Sequence, residues 1–112
     1  YALQELHGSE NQLSAIPNSV GQLTALQVLR LQYNSIQAVT REVAFLTSLT
    51  QFNISYNNLL ALPQEIGGMT SLTQLQLDSN EIRVLPHTIK HLTNLTDITM
   101  VGNNITELPS DS

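Results

Sequence analysis

The sequence lacks several features that would suggest particular functions. It has no cysteine, so it can form neither a disulfide nor a thiolate metal site, which favours a reducing, cytoplasmic compartment. Charged residues are only 12% of the chain and the net charge is −5, whereas nucleic acids and anionic membranes attract basic patches. No apolar run approaches the roughly 20 residues that cross a bilayer. We therefore expect no nucleic-acid partner and no direct membrane insertion.

Residues that could carry chemistry are also few. His87 and His91 are four residues apart, the spacing of two metal ligands on one face of an α-helix, but the glutamate of an HExxH motif is missing and no third ligand is evident. The sequence contains no glycine-rich phosphate loop, and its serines lack a paired histidine and aspartate. We expect no catalytic, cofactor or metal site, and no enzyme activity in this segment.

What the sequence does contain is a repeat of 23 residues. One asparagine column, one leucine column and one proline column recur at this interval, with Thr40 in the place of one proline. The members of the three columns are Asn11, Asn34, Asn57, Asn80 and Asn103; Leu3, Leu26, Leu49, Leu72 and Leu95; and Pro17, Pro63, Pro86 and Pro109. The repeats span residues 3–25, 26–48, 49–71 and 72–94, with a partial repeat at 95–112. Only 4% of the residues are aromatic, so the core that these repeats share must be aliphatic.

Each repeat combines two hydrophobic periods. Leu75 and Leu77 alternate with polar residues, which predicts a short strand with one buried face. Leu85, Ile89 and Leu92 are three or four residues apart, which predicts a short α- or 3₁₀-helical segment with the preceding proline in its first turn. One repeat cannot bury its apolar face alone, so the repeats must stack around a shared core, with parallel strands on the concave face.

These patterns resemble the leucine-rich repeat family. The motif LxxLxLxxNxL is present as LQVLRLQYNSI, LTQFNISYNNL, LTQLQLDSNEI and LTDITMVGNNI, and the first copy, LQELHGSENQL, departs from it at Gly8. The continuation LPxxIxxLT resembles the 23-residue intracellular subclass of Ras-associated and Scribble-like scaffold proteins. The resemblance implies an α/β fold, a right-handed horseshoe-shaped solenoid, and non-catalytic protein binding in intracellular scaffolding or signalling.

The asparagine column has a structural explanation. An asparagine side chain carries both hydrogen-bond donors and an acceptor. Buried where each strand turns away, it can bond to backbone groups of its own loop and of the next repeat. We therefore assign these residues to the fold and not to a ligand.

The expected binding surface consists of the residues that the repeat pattern leaves free on the concave face. They are Val28, Arg30, Gln32, Tyr33, Gln51, Asn53, Ser55, Tyr56, Gln74, Gln76, Asp78 and Asp97. Val28 and the two tyrosines depart from an otherwise polar face. Tyrosine and arginine are favoured anchors of interfaces, but neighbouring tyrosines also pack on each other as cross-strand pairs. The sequence leaves both interpretations of Tyr33 and Tyr56 open.

Two further interpretations of the function stay open. In the first, the chain is the recognition region of a multidomain enzyme such as a kinase, GTPase or ubiquitin ligase. In the second, it is the ectodomain of a receptor or effector that acts outside the cell or on a host. The sequence begins at Tyr1 inside the repeat pattern and ends at Ser112 inside the fifth unit. We expect it to be a fragment of a longer protein, and its end repeats could associate end to end.

Overall fold

The computed structural model describes residues 5–7, 16 and 18–103 as an alternation of short strands and 3₁₀ helices. Every strand has three residues and every helix has five. In chain order the elements are β1 (Glu5–His7), η1 (Asn18–Gln22), β2 (Val28–Arg30), η2 (Arg41–Phe45), β3 (Gln51–Asn53), η3 (Gln64–Gly68), β4 (Gln74–Gln76), η4 (His87–His91) and β5 (Asp97–Thr99). Predictions that concern Gly8, Asn11, Pro17 and Pro109 lie outside the described residues.

The strands form one parallel sheet in the order β1-β2-β3-β4-β5. Its register follows the repeat, because each strand residue pairs with the residue 23 positions further along, as Leu29 does with Phe52 and Phe52 with Leu75. The 3₁₀ helices pack against one another in the same sequence order. The predicted α/β solenoid is thus confirmed, with equivalent residues of successive repeats aligned in columns.

The core between the sheet and the helices is aliphatic, as the composition predicts. The central residues of β2, β3 and β4 are at most 1% exposed, and Phe52 is the one aromatic residue among them. Val43 of η2 and Ile66 of η3 are fully buried on the opposite side of the core. Burying one such side chain contributes about 1.5–3 kcal/mol, so stability comes mainly from the contact between neighbouring repeats.

The proline column precedes the helices. Pro63 and Pro86 are the N-cap residues of η3 and η4 and have extended backbones, with φ of −71° and −66°. The prediction of a proline inside the first turn is therefore wrong by one position. Thr40, which stands in the same column, has the same extended backbone, and its side-chain oxygen accepts a hydrogen bond from the amide of Glu42 at 3.3 Å. A hydroxyl cap thus replaces the proline in this repeat.

Glycine permits the close approach of two neighbouring helices. A Cβ atom on Gly67 of η3 would lie 2.8 Å from Cβ of Thr88 and 2.9 Å from its carbonyl oxygen in η4. Real Cβ atoms essentially never approach other atoms so closely. The next residue, Gly68, meets only an ordinary contact of 3.6 Å with Cβ of Ala44. The two glycines are therefore not equivalent, and the helix packing requires only the first.

The buried asparagines tie each turn to the repeat before it. Nδ2 of Asn57 lies 3.0 Å from the carbonyl oxygen of Leu31 and also reaches two carbonyl oxygens of its own turn, at 2.9 and 3.1 Å. Its Oδ1 accepts a hydrogen bond from the amide of Ile36 at 3.0 Å. Asn80 makes the equivalent four contacts one repeat later. The predicted backbone bonds exist, but the partner repeat is the preceding one and not the next.

Candidate functional site

The strand face, meaning the side of the sheet that points away from the helices, brings most of the predicted site residues together. In β2, β3 and β4 the central residue is buried and the two flanking residues are half-buried, so the flanking side chains share this face. The register aligns them in two columns. One column is Val28, Gln51, Gln74 and Asp97, and the other is Arg30, Asn53, Gln76 and Thr99.

Ser55 is an exception, and its predicted place on the exposed face is wrong. The residue is only 5% exposed, and its Oγ accepts a hydrogen bond from the amide of Asp78 at 3.0 Å. One repeat later, Oδ1 of Asp78 accepts a hydrogen bond from the amide of Val101 at 2.8 Å. The strand has already ended at Asn53, so the alternation of buried and exposed residues no longer applies at position 55. In this column the side-chain oxygens accept hydrogen bonds from backbone amides of the next repeat.

Tyr33 and Tyr56 follow this column and are the most conspicuous residues of the strand face. Their rings are stacked, with centroids 4.6 Å apart and planes at 7°, and the residues are 51% and 48% exposed. The packing interpretation therefore describes their mutual contact, while about half of each surface is still free. Both residues have a positive φ, 62° and 58°, as do Ser79 at 56° and Gly102 at 81°.

The left-handed backbone makes these tyrosines unusual. A bulky residue with positive φ is uncommon and costs about 1–3 kcal/mol, whereas glycine adopts the conformation freely. Stacking of two rings returns about 0.5–1.5 kcal/mol. The turn before each asparagine thus imposes a conformation that suits glycine best, yet two successive repeats carry tyrosine there. Strain of this kind is more common at functional sites than elsewhere.

A shallow depression of about 270 Å³ lies beside the tyrosine pair. All seven of its lining residues belong to the predicted site, and a carboxylate is its single charged group. The lining residues are Gln32, Tyr33, Asn53, Ser55, Tyr56, Gln76 and Asp78. The surface therefore combines aromatic rings, side-chain amides and one negative charge, which suits hydrogen bonding and stacking with a ligand.

Two buried polar atoms near this depression lack partners among the described residues. They are Nε of Arg30 and Oε1 of Gln32. The guanidinium group of Arg30 is held at its other end, because Nη2 donates a hydrogen bond to Oε1 of Gln51 at 3.2 Å. A buried polar atom without a partner is unfavourable, so both atoms have an unmet capacity for hydrogen bonding.

The described part of the chain holds no cluster of three or more histidine, cysteine, aspartate or glutamate residues that could bind a metal. The two histidines of η4 also differ in direction. A 3₁₀ helix has three residues per turn, so His87 and His91, four positions apart, project about 120° from each other. Within the same described part, no helix has the length and hydropathy that a membrane-spanning segment needs.

Sequence reasoning overlooked a second depression, about 420 Å³ in volume, which lies after the asparagine turns. Its lining residues are Gln37, Asn58, Leu60 and Glu81. Leu60 is 58% exposed and occupies the position of Gln37 one repeat earlier. An exposed leucine where the equivalent residue is polar was the available signal. One leucine does not form an apolar patch, so this depression is the weaker candidate.

Comparisons with known proteins place this geometry in context. A protein-family model with the description "Leucine-rich repeat region" matches residues 1–112. A leucine-rich repeat protein of Leptospira interrogans is 36% identical, with a TM-score of 0.85 over 93% of this chain and 26% of that one. The leucine-rich repeat ectodomain of the plant membrane receptor kinase GASSHO1/SCHENGEN3 from Arabidopsis thaliana, in complex with CASPARIAN STRIP INTEGRITY FACTOR 2, is 26% identical, with a TM-score of 0.83 over 95% and 13% of the two chains.

This chain therefore spans 26% and 13% of the length of those two structural relatives. No curated protein matches the sequence.

Proposed function

Because this chain belongs to the leucine-rich repeat family, we propose that it is a non-catalytic recognition module that holds a protein partner on its concave strand face. Solenoids of stacked repeats present extended concave surfaces of this kind for binding. The Arabidopsis relative was solved in complex with CASPARIAN STRIP INTEGRITY FACTOR 2, which is consistent with a protein or peptide as the ligand class.

The tyrosine pair is the observation that carries this proposal. Tyr33 and Tyr56 are about half exposed, stacked on each other and held in a left-handed backbone conformation beside the depression. Rigid aromatic side chains contribute large contact areas at interfaces and lose little conformational entropy on binding. Stacking restrains the rings before a partner arrives, so binding would order little that is mobile in the free protein.

Affinity capture with a paired variant tests this function. Proteins captured by the wild-type chain are compared with those captured by the chain that carries both Tyr33→Ala and Tyr56→Ala. Each captured protein is then titrated against the wild-type chain and against the double variant. We expect the double variant to keep its fold and to lose at least tenfold in affinity, since truncating a tyrosine that is an interface hot spot costs about 2 kcal/mol or more. The control is Phe45→Ala, which removes an aromatic residue that is 59% exposed but lies on η2, outside the strand face. Equal affinity of wild type and the double variant would refute the proposed surface.

For the biological setting we propose intracellular scaffolding or signalling in the cytoplasm. The support is the LPxxIxxLT continuation of the repeats, which resembles the Scribble-like subclass. Fractionation of cells that express the parent protein tests the compartment, and recovery only from the secreted or outer-surface fraction would contradict it.

A second candidate function is that of a receptor or effector ectodomain, and the similarity to the plant receptor ectodomain favours it. The chain could equally be the recognition region of a multidomain enzyme such as a kinase, GTPase or ubiquitin ligase. The parent sequence separates these candidates, because a signal peptide, a transmembrane segment or a catalytic domain would each be recognisable beyond the repeats. In all three settings the role of this segment is recognition.

A further inference from the structure

The depression on the strand face places an aromatic surface and a carboxylate side by side, a combination that suits a planar cation. We propose that it receives an arginine side chain of the protein partner, with the guanidinium group stacked on Tyr56 and paired with Asp78. This inference rests on the proposed function, because it names the side chain by which a protein partner is held on the strand face.

One face of the Tyr56 ring is open to a ligand. The ring of Tyr33 lies against one face, with the two planes only 7° apart, so the opposite face points along the same axis toward the next repeat. The equivalent residue there is Ser79, followed one repeat later by Gly102, and both share the left-handed backbone. Neither residue is large enough to cover an aromatic ring. The stack thus ends in a free ring face above a row of small residues.

Asp78 lines the same depression and is a backbone neighbour of Tyr56 in the next repeat. The amide of Tyr56 donates a hydrogen bond to the carbonyl oxygen of Asp78 at 2.8 Å, which holds the two backbones side by side. Oδ1 of the Asp78 carboxylate accepts a hydrogen bond from the amide of Val101, so Oδ2 can accept hydrogen bonds from a ligand. A guanidinium group can stack on an aromatic face and donate to a carboxylate at the same time.

Among the described residues of the strand face, no positive group neutralises Asp78 at close range. Arg30 belongs to β2 and Asp78 follows β4, so two strand spacings, about 10 Å, separate them along the sheet. That distance is close to the screening length of about 8 Å at physiological ionic strength. Nη2 of Arg30 is moreover directed to Gln51. The chain as a whole carries a net charge of −5, which attracts a cationic partner segment.

Other side chains of a partner fit this depression less well. A carboxylate ligand would be repelled by Asp78, and a proline ring offers no donor. A lysine ammonium is charged but has no planar face to stack on Tyr56.

Selection from a random peptide library tests the inference. Peptides displayed on phage are selected on the wild-type chain, and those that contain arginine are resynthesised with citrulline or lysine in its place. Citrulline keeps the planar shape and removes the charge. We expect arginine to be enriched, and its replacement by citrulline to raise Kd about tenfold in calorimetric titration, as for a cation–π contact with a partly exposed ion pair.

Matched protein variants connect this effect to the depression. Asp78→Asn keeps an oxygen that can accept the amide of Val101, so it removes the charge and preserves the hydrogen bond. This variant should raise the Kd of the arginine peptide by the same factor, and it should leave the Kd of the citrulline peptide unchanged. Glu65→Gln removes an equal charge from η3, on the opposite side of the core from the strand face, and should leave Kd within twofold.

The possible results separate this inference from the proposed function. Selected peptides that require Tyr33 and Tyr56 but show no preference for arginine, or that bind Asp78→Asn as tightly as wild type, would overturn the arginine site and leave protein recognition on the strand face intact. Peptides that bind the double tyrosine-to-alanine variant unchanged would overturn both.

Discussion

Replacing Asn57 by leucine should measure how strongly the asparagine turns hold the repeats together. The side chain is 6% exposed, and its four hydrogen-bonding contacts all go to backbone groups. Leucine has the same number and branching of side-chain heavy atoms but neither donates nor accepts a hydrogen bond. The substitution therefore removes the polar contacts and keeps the branched shape of the side chain.

The loss is unequal among the four contacts. The carbonyl oxygen of Leu31 also accepts a hydrogen bond from Nδ2 of Asn34 at 2.9 Å. The carbonyl oxygen of Ile54 also accepts one from Nδ2 of Asn80 at 3.1 Å, so each of these two oxygens keeps a donor in the variant. The amide of Ile36, whose side chain is fully buried, would lose its acceptor. A buried donor left without a partner costs about 1–3 kcal/mol, so we expect the free energy of unfolding to fall by that amount.

Urea denaturation followed by circular dichroism gives the measurement, with the transition midpoint compared at constant slope. The control is Asn58→Leu, which changes the exposed neighbouring side chain and should stay within about 0.5 kcal/mol of wild type. If Asn57→Leu unfolded within 0.5 kcal/mol of the parent chain, the asparagine contacts would not stabilise the stack, and the reasoning about Ile36 would be wrong.

Two more predictions follow from contacts elsewhere in the fold, and a third follows from the stacking of repeats. Gly67→Ala should destabilise the chain by about 1–3 kcal/mol in the same assay because its Cβ would collide with the next helix, whereas Gly68→Ala should have little effect; equal values for the two would contradict the helix geometry. Ser55→Ala should cost about 1–3 kcal/mol by leaving the amide of Asp78 without its hydroxyl acceptor, and an unchanged unfolding midpoint would show that water replaces it. The isolated chain should associate end to end as its concentration rises, which light scattering across a dilution series measures; a monomer at every concentration would remove this idea.

The repeat pattern predicted most of the fold because each column has one physical role. Leu29, Phe52 and Leu75 occupy equivalent positions, and the sheet pairs them in that register. The errors occurred where roles depend on local geometry that a hydrophobic period does not encode. Pro86 was placed one position too far into its helix, and Asn57 bonds to the preceding repeat and not the next.

The candidate site, like the fold, was predicted in part from the repeat pattern and depends in part on local geometry. The position of each residue within the repeat was enough to predict the side chains that surround the depression, because a period of two within each strand separates buried from exposed residues. Ser55 was misplaced since the strand ends at Asn53, and only the folded backbone reveals where the alternation stops. The positive φ of Tyr33 and Tyr56 was likewise invisible in the sequence, because neither residue type favours that conformation.

The sequence by itself therefore determined the stack: its period, its aliphatic core, its parallel strands and the face that is left free. These follow from hydrophobic burial, which depends on residue type and spacing. Only the tertiary structure decided which free residues can act together. It stacked the two tyrosines, turned Ser55 inward and brought Tyr56 and Asp78 together around one depression. Those relations depend on hydrogen bonds and ring contacts between residues 22 or 23 positions apart, and spacing within one repeat does not specify them.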